Sequence, residues 1–249
     1  KILKSNFITQ GSQVMKLEKK IKKFCKVKYA TCVNSATSAL HLSFRCLNLA
    51  KGDHVWTTTN TFISTATAAV YAGLNIDLID IDPDTYNICL NHLENKLKKS
   101  KIKPKAVIVV HLGGHPCDME KLYILKKKYK FQIIEDASHA FGSIYFKKRI
   151  GSCNLSDMCI FSFHASKSFT TGEGGCLVTN NKEINNKSKL LREHGINRNI
   201  NKKNHISPKF YDVQLLSLNF RMTDFQAALG ISQIDKVDRW IKRKNFLAK

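Results

Sequence analysis

The chain has 249 residues, 43% of them apolar and 24% charged, enough to bury one large core and too ordinary in composition for a disordered, collagen-like or low-complexity protein. Its net charge of +22 raises nucleic acid as a partner, but 34 of the 41 basic residues are Lys and 7 are Arg, the residue that reads bases bidentately, so we read solvated lysine faces and expect no specific nucleic acid. No apolar run approaches the roughly 20 residues that cross a bilayer, and eight Cys without a CxxC pair fit reduced thiols in a cytoplasmic protein with no membrane partner.

Strand-like and helix-like segments alternate along the chain. Residues 14–25 have helical spacing, 28–33 read as a strand and 35–47 as a helix. A strand at 54–58, a helix at 62–72 and a strand at 76–81, closed by the turn Asp82-Pro83-Asp84, come next. A helix at 90–97 precedes the continuously apolar strand AVIVV at 106–110; a helix at 119–128 and strands at 131–135, 157–163 and 176–179 follow. Helical spacing returns over 182–194, residues 197–215 are polar and loop-like, and 223–247 read as one long helix. The chain starts without an initiator Met and stops inside that last pattern, so we expect a fragment. Continuous apolar runs mark strands covered on both faces. The alternation predicts a three-layer α/β/α fold around a mostly parallel seven-stranded sheet. Ligands in such sheets sit beyond the carboxyl ends of the strands, so the chemistry is expected just after each strand.

Asn34-Ser35-Ala36-Thr37-Ser38 lies between a strand and a helix, where free backbone N–H groups and the helix dipole hold phosphate; taken alone it is equally an ordinary N-cap. GxGxxG and GxxxxGK[ST] are both absent, so dinucleotide and P-loop readings lack their fingerprint. Asp136 follows the apolar strand QIIE with His139 one helical turn later; alone, the pair reads as a cap and a polar neighbour. Ser162 and His164 share one face of a strand, and Lys167 follows in FSFHASKSFTTGEGG, a segment with no other Lys or Arg. A desolvated Lys is a usable nucleophile toward carbonyls, and the plain alternative is a solvated or structural Lys. His111 and His115 are four apart, but Gly113, Gly114 and Pro116 disfavour a helix between them, and no metal site is expected.

Together these segments resemble the DegT/DnrJ/StrS family of sugar aminotransferases that use pyridoxal 5'-phosphate. GDHVWTTTNTFISTATAAVYAG, DIDPDTYNI, EDASHAFGS, FSFHASKSFTTGEGG, LREHG and NFRMTDFQAALGISQI occur in the family's order, and the match runs from residue 6 to the chain end. The resemblance implies fold type I, the aspartate-aminotransferase-like large domain, over residues 1–238, with 239–249 starting the helix that leads to a small C-terminal domain. It implies that Lys167 bonds the cofactor aldehyde, that Asp136 pairs with the pyridinium nitrogen and that His139 contacts the phenolic oxygen. Ser162, Ala36 and Thr37 match the phosphate cradle, and Phe62 matches the aromatic that stacks on the ring. Asn219 matches an Asn that reaches the phosphate in the neighbouring subunit, which implies a homodimer. A dehydratase offshoot of the family has His where Lys167 stands, so the lysine favours amino transfer. The HAxK-x4-GEGG form and the NSATSALH segment most resemble the branch that aminates the C4 keto group of UDP-4-keto-6-deoxy-N-acetylhexosamines, on the way to pseudaminic acid and related sugars, with L-glutamate as donor. Amination at C3 of another nucleotide sugar, action on amino acids alone, and a basic polyanion-binding protein stand as alternatives.

Overall fold

The computed structural model describes residues 2–5, 7–197 and 211–248. Its strands are β1 Tyr29–Val33, β2 His54–Thr58, β3 Asn75–Ile79, β4 Ala106–Val110, β5 Gln132–Asp136, the pair β6 Ile144–Tyr145 and β7 Lys148–Arg149, β8 Met158–Ser162, β9 Gly175–Thr179, and the pair β10 Ile196–Asn197 and β11 Asp212–Val213. Its helices are α1 Ser12–Cys25, α2 Ala36–Cys46, α3 Ser64–Tyr71, α4 Leu90–Lys99, α5 Met119–Tyr129, α6 Lys182–Arg192, α7 Asp224–Ile234 and α8 Val237–Leu247.

Seven strands form one sheet in the order β1-β9-β8-β5-β4-β2-β3. β8 pairs with β5, β5 with β4, β4 with β2 and β2 with β3, all parallel, whereas β9 is antiparallel to both β8 and β1. β9 is therefore the one reversed strand of this sheet. Consequently the connection from β8 to β9, which carries Lys167, starts and finishes at the edge where the parallel strands end.

The central strands read as unbroken apolar runs because both of their faces are covered. Ile133 and Ile134 of β5 point to opposite sides, and both are fully buried, each side chain contributing about 1.5–3 kcal/mol. Ile134 packs with Leu40 and Leu42 of α2, Ala68 and Ala69 of α3 and Leu191 of α6. Ile133 packs with Leu93 of α4 and Leu122 and Leu125 of α5. On that same side, farther along the sheet, Leu17 and Ile21 of α1 and Ala227 of α7 close over Cys159, Phe161 and Val178. The result is the expected three-layer α/β/α arrangement. No described helix is long and apolar enough to cross a membrane.

Several boundaries differ from the sequence expectation. The helix expected at 62–72 runs from Ser64 to Tyr71, with Ile63 as its N-cap residue. The long helix expected over 223–247 breaks after α7. Ile234 and Val237 both turn into the core there, while Asp235 pairs with Lys20 and Asp238 with Arg149. The β6–β7 hairpin went unforeseen: Phe146 and Lys147 take φ of +40° and +64° at its turn, without the Asn-Gly or Asp-Gly signature of such turns. The loop expected at 197–215 contains β11, paired with β10, and its residues 198–210 lie outside the described residues.

Candidate active site

A cavity of about 390 Å³ opens at the carboxyl edge of the sheet, against the start of α2 and the β8–β9 connection. Lys167, Asp136, His139, Ser162, Ala36, Thr37 and Phe62 all line it. Asn219 does not: it is exposed, forms a bridge with Glu193, and its Oδ1 accepts the Arg221 N–H at 3.1 Å. A larger hollow of about 690 Å³ lies at the 82–91 and 115–121 segments, and none of the sequence-predicted site residues lines it.

One end of the cavity is built to receive an anion. Ser35 caps α2, its Oγ accepting the Ser38 N–H at 3.1 Å. The amides of Ala36 and Thr37 belong to the first turn, where a helix offers no internal acceptor. A Cβ on Gly175 would come within 2.4 Å of the Ser35 carbonyl carbon and 2.5 Å of the Ala36 nitrogen. Only glycine lets β9 begin against this turn. Ser162, 8% exposed, ends β8 beside it.

Asp136 is the last residue of β5 and only 4% exposed. Its Oδ1 accepts the Ser138 Oγ–H at 2.6 Å and the Ser138 N–H at 3.1 Å, and its Oδ2 accepts the Thr65 Oγ–H at 2.8 Å. A buried charge with three donors is a satisfied charge. The sequence reading missed Ser138 and Thr65. Ser138 is a local turn partner two residues on, which sequence can reveal; Thr65 is 71 positions away and gave no signal.

His139 stands at the cavity wall. The Gly113 N–H donates to its Nδ1 at 3.3 Å, which leaves the ring proton of the neutral form on Nε2. Desolvation holds its pKa below the usual histidine value, the Lys167 charge acts in the same direction, and Asp136 opposes both. Asn87, 4% exposed, grips the supporting loop: its Oδ1 accepts the Leu112 N–H at 3.1 Å and its Nδ2 donates to the His115 carbonyl at 3.0 Å. The spacing of His111 and His115 serves this loop, since His111 is fully buried with Nε2 2.8 Å from Glu135 Oε2 while its Nδ1 accepts the Cys117 N–H.

Lys167 is half-buried in the turn after β8, with its N–H donating to the His164 carbonyl at 3.0 Å. Phe163 and Phe169 anchor the turn on either side; their rings meet edge to face at 4.6 Å, and both pack on Phe141. Phe62 lies at the cavity rim and is 71% exposed.

An anion-binding helix start, a buried carboxylate for a cationic nitrogen and an amine for an aldehyde form the donor set that pyridoxal 5'-phosphate requires. The glycine-shaped cradle at Ser35 and Ala36 fits its phosphate, so the residues present suit the group.

The family model described as the DegT/DnrJ/EryC1/StrS aminotransferase family matches residues 1–249, and the chain belongs to this family. A UDP-4-amino-4,6-dideoxy-N-acetyl-beta-L-altrosamine transaminase of Campylobacter jejuni is 41% identical over 246 residues, covering 98% of this chain and 62% of the relative. Among solved structures, Helicobacter pylori PseC, an aminotransferase involved in pseudoaminic acid biosynthesis, superposes with a TM-score of 0.86 at 33% identity, over 95% of this chain and 61% of that one. Spr1654 of Streptococcus pneumoniae in its PLP form superposes with a TM-score of 0.85 at 29% identity, over 96% and 62%. The chain therefore has the α/β fold of the PLP-dependent sugar aminotransferases, and it spans less than two thirds of these relatives' length.

Proposed function

We propose that this chain supplies the cofactor-binding domain of a pyridoxal-phosphate aminotransferase that moves the amino group of L-glutamate to the C4 keto carbon of a UDP-linked 4-keto-6-deoxy-N-acetylhexosamine. The observation that carries the reading is a single cavity holding the amide end of α2, the three-donor carboxylate of Asp136 and the amine of Lys167. The names of the Campylobacter transaminase and of PseC support the sugar class.

In this reading the first-turn amides of Ala36 and Thr37 and the Ser162 hydroxyl bind the phosphate. Asp136 holds the ring-nitrogen proton in place, and His139 donates from Nε2 to the phenolic oxygen. Phe62, at the cavity rim, would lie against one face of the ring. The bound cofactor supplies an electron sink for a carbanion. Lys167 Nζ would hold the aldehyde carbon until the incoming amine displaces it, and the freed Lys167 amine would then remove and return the proton on the carbon bearing the substrate nitrogen. Asn219, outside the cavity of its own chain, reaches the phosphate held by a second copy, so the working unit is a homodimer. Residues 1–238 form the cofactor domain, and α8, with Phe246 and Leu247 68% and 66% exposed, leads toward a smaller domain. Eight free thiols support a cytoplasmic setting.

The test is the full-length protein loaded with pyridoxal phosphate and assayed with glutamate against UDP-, GDP- and dTDP-linked keto-sugars. We expect 2-oxoglutarate release with the UDP-linked 4-keto sugar. Turnover confined to amino acids, or to a 3-keto sugar, rejects the proposed substrate.

A further inference from the structure

Building on that cofactor reading, we propose that Thr61 and Thr65 form a one-way hydroxyl relay that fixes the Asp136 carboxylate and leaves Oδ2 as the oxygen that accepts the ring N–H of the cofactor. Thr65 is fully buried and has one hydroxyl proton. Its Oγ1 lies 2.8 Å from Asp136 Oδ2, and an ionised carboxylate only accepts, so that proton points at Asp136. The same Thr65 oxygen lies 2.8 Å from Thr61 Oγ1. With its own proton committed, Thr65 accepts there and Thr61 donates, in preference to the 3.4 Å contact from Thr61 to the Phe62 carbonyl. The two bonds are polarised in one direction, from the cavity wall that Thr61 lines to the carboxylate, and each strengthens the other.

The lone pairs of Asp136 are then unequally used. Oδ1 takes both donors of Ser138, whereas Oδ2 takes Thr65 alone. An ionised carboxylate has about two acceptor positions on each oxygen, so the open position is on Oδ2. Ser138 holds the group from the turn after β5 and the threonines hold it from the α3 side, which stops it from turning about the Cβ–Cγ bond. The titratable groups around this carboxylate on the cavity wall are His139 beyond its own strand, and Lys167, His164 and Glu173 of the β8–β9 connection. Residues 59–71, which include α3, contribute hydroxyls and one distant phenol, Tyr71, 86% exposed. The relay is thus that side's handle on the charge. The donors share the carboxylate's negative charge, so the hydrogen bond across to the cofactor keeps its N–H on the ring side.

Thr61 and Thr65 are positioning residues, and three variants of the full-length protein test them. Thr65→Val keeps the shape and removes the donor, Thr61→Val removes only the donor behind it, and Thr65→Ser keeps the hydroxyl. The readout is the pH midpoint of the visible absorption of protein loaded with pyridoxal phosphate, which responds to ring protonation and needs no turnover. We expect Thr65→Val to raise the midpoint by roughly one pH unit, the scale of one lost bond to a charged group. Thr61→Val should raise it by less and Thr65→Ser should restore it. A wild-type midpoint in Thr65→Val, or a Thr61→Val shift in the opposite direction, overturns the relay. If Thr65→Val does not fold, a shift in Thr61→Val with none in Thr65→Ser supports the relay, and no shift in Thr61→Val overturns it. Failure of the wild-type protein to take up pyridoxal phosphate is a different result, and it rejects the cofactor reading itself.

Discussion

Lys167 is one of 34 lysines, and its neighbours set it apart. Phe163 and Phe169, 0% and 1% exposed, clamp the turn that carries it, so its amine leaves a rigid base at the edge of the cavity. Replacing it with Ala should abolish the visible absorption of the lysine-bound cofactor; an unchanged spectrum in Lys167→Ala protein rejects its proposed role. Asp136→Ala should lower transamination by at least about 10³-fold, because a charge partner in a dry site is lost, and near-normal turnover in a coupled glutamate assay counts against the assignment. At this scale the sequence was informative wherever chemistry and chain proximity coincide. Asp136 at its strand end and Lys167 within its lysine-free segment could be read directly, and the Ser138 partner two residues on was within reach of the same local logic. The Thr65 hydroxyl was not, because its partner is supplied by another layer of the fold.

Elements are fixed partly by residues far outside them. α1 starts after Gly11, which has no side chain to cap it, yet two amides of its first turn, those of Gln13 and Val14, find a partner. Asp224 of α7, fully buried, accepts the Gln13 N–H at 2.6 Å and the Val14 N–H at 3.4 Å, and it also accepts the Gly11 N–H. Helix propensity alone gives no account of this, because the cap comes from more than 200 residues away. Asp224→Ala should cost about 2 kcal/mol, the loss of a cap that leaves partly buried amides unpaired, measured as a lower urea midpoint with an unchanged slope. The broken α7–α8 pair follows the same logic. Continuous helical spacing over 223–247 is present in the sequence, but the tethers to Lys20 and Arg149 lie on opposite sides of the break.

For the molecule as a whole, burial decides the chemistry of its thiols. All eight cysteines are free, seven are buried, and Cys89 is half-buried. Burial pushes Cys25 and Cys46 up to about 12 and Cys153 and Cys159 well above the ordinary thiol value, so few of these groups ionise near neutral pH. Thiol titration of native protein at pH 8 should therefore detect Cys89 first and all eight after denaturation; rapid native reaction of several thiols would mean a looser core. The sequence by itself determined the three-layer class and the succession of strands and helices along the chain, because period-2 and period-3.6 patterns are local properties, and its ordered motifs named residues that line the cavity, Asn219 excepted. The tertiary structure alone decided that β9 reverses, that its glycine seats the start of α2, and that two threonines and an aspartate meet across layers. Those are pairings between distant segments, and local patterns do not encode which distant partner a hydroxyl or an amide will meet.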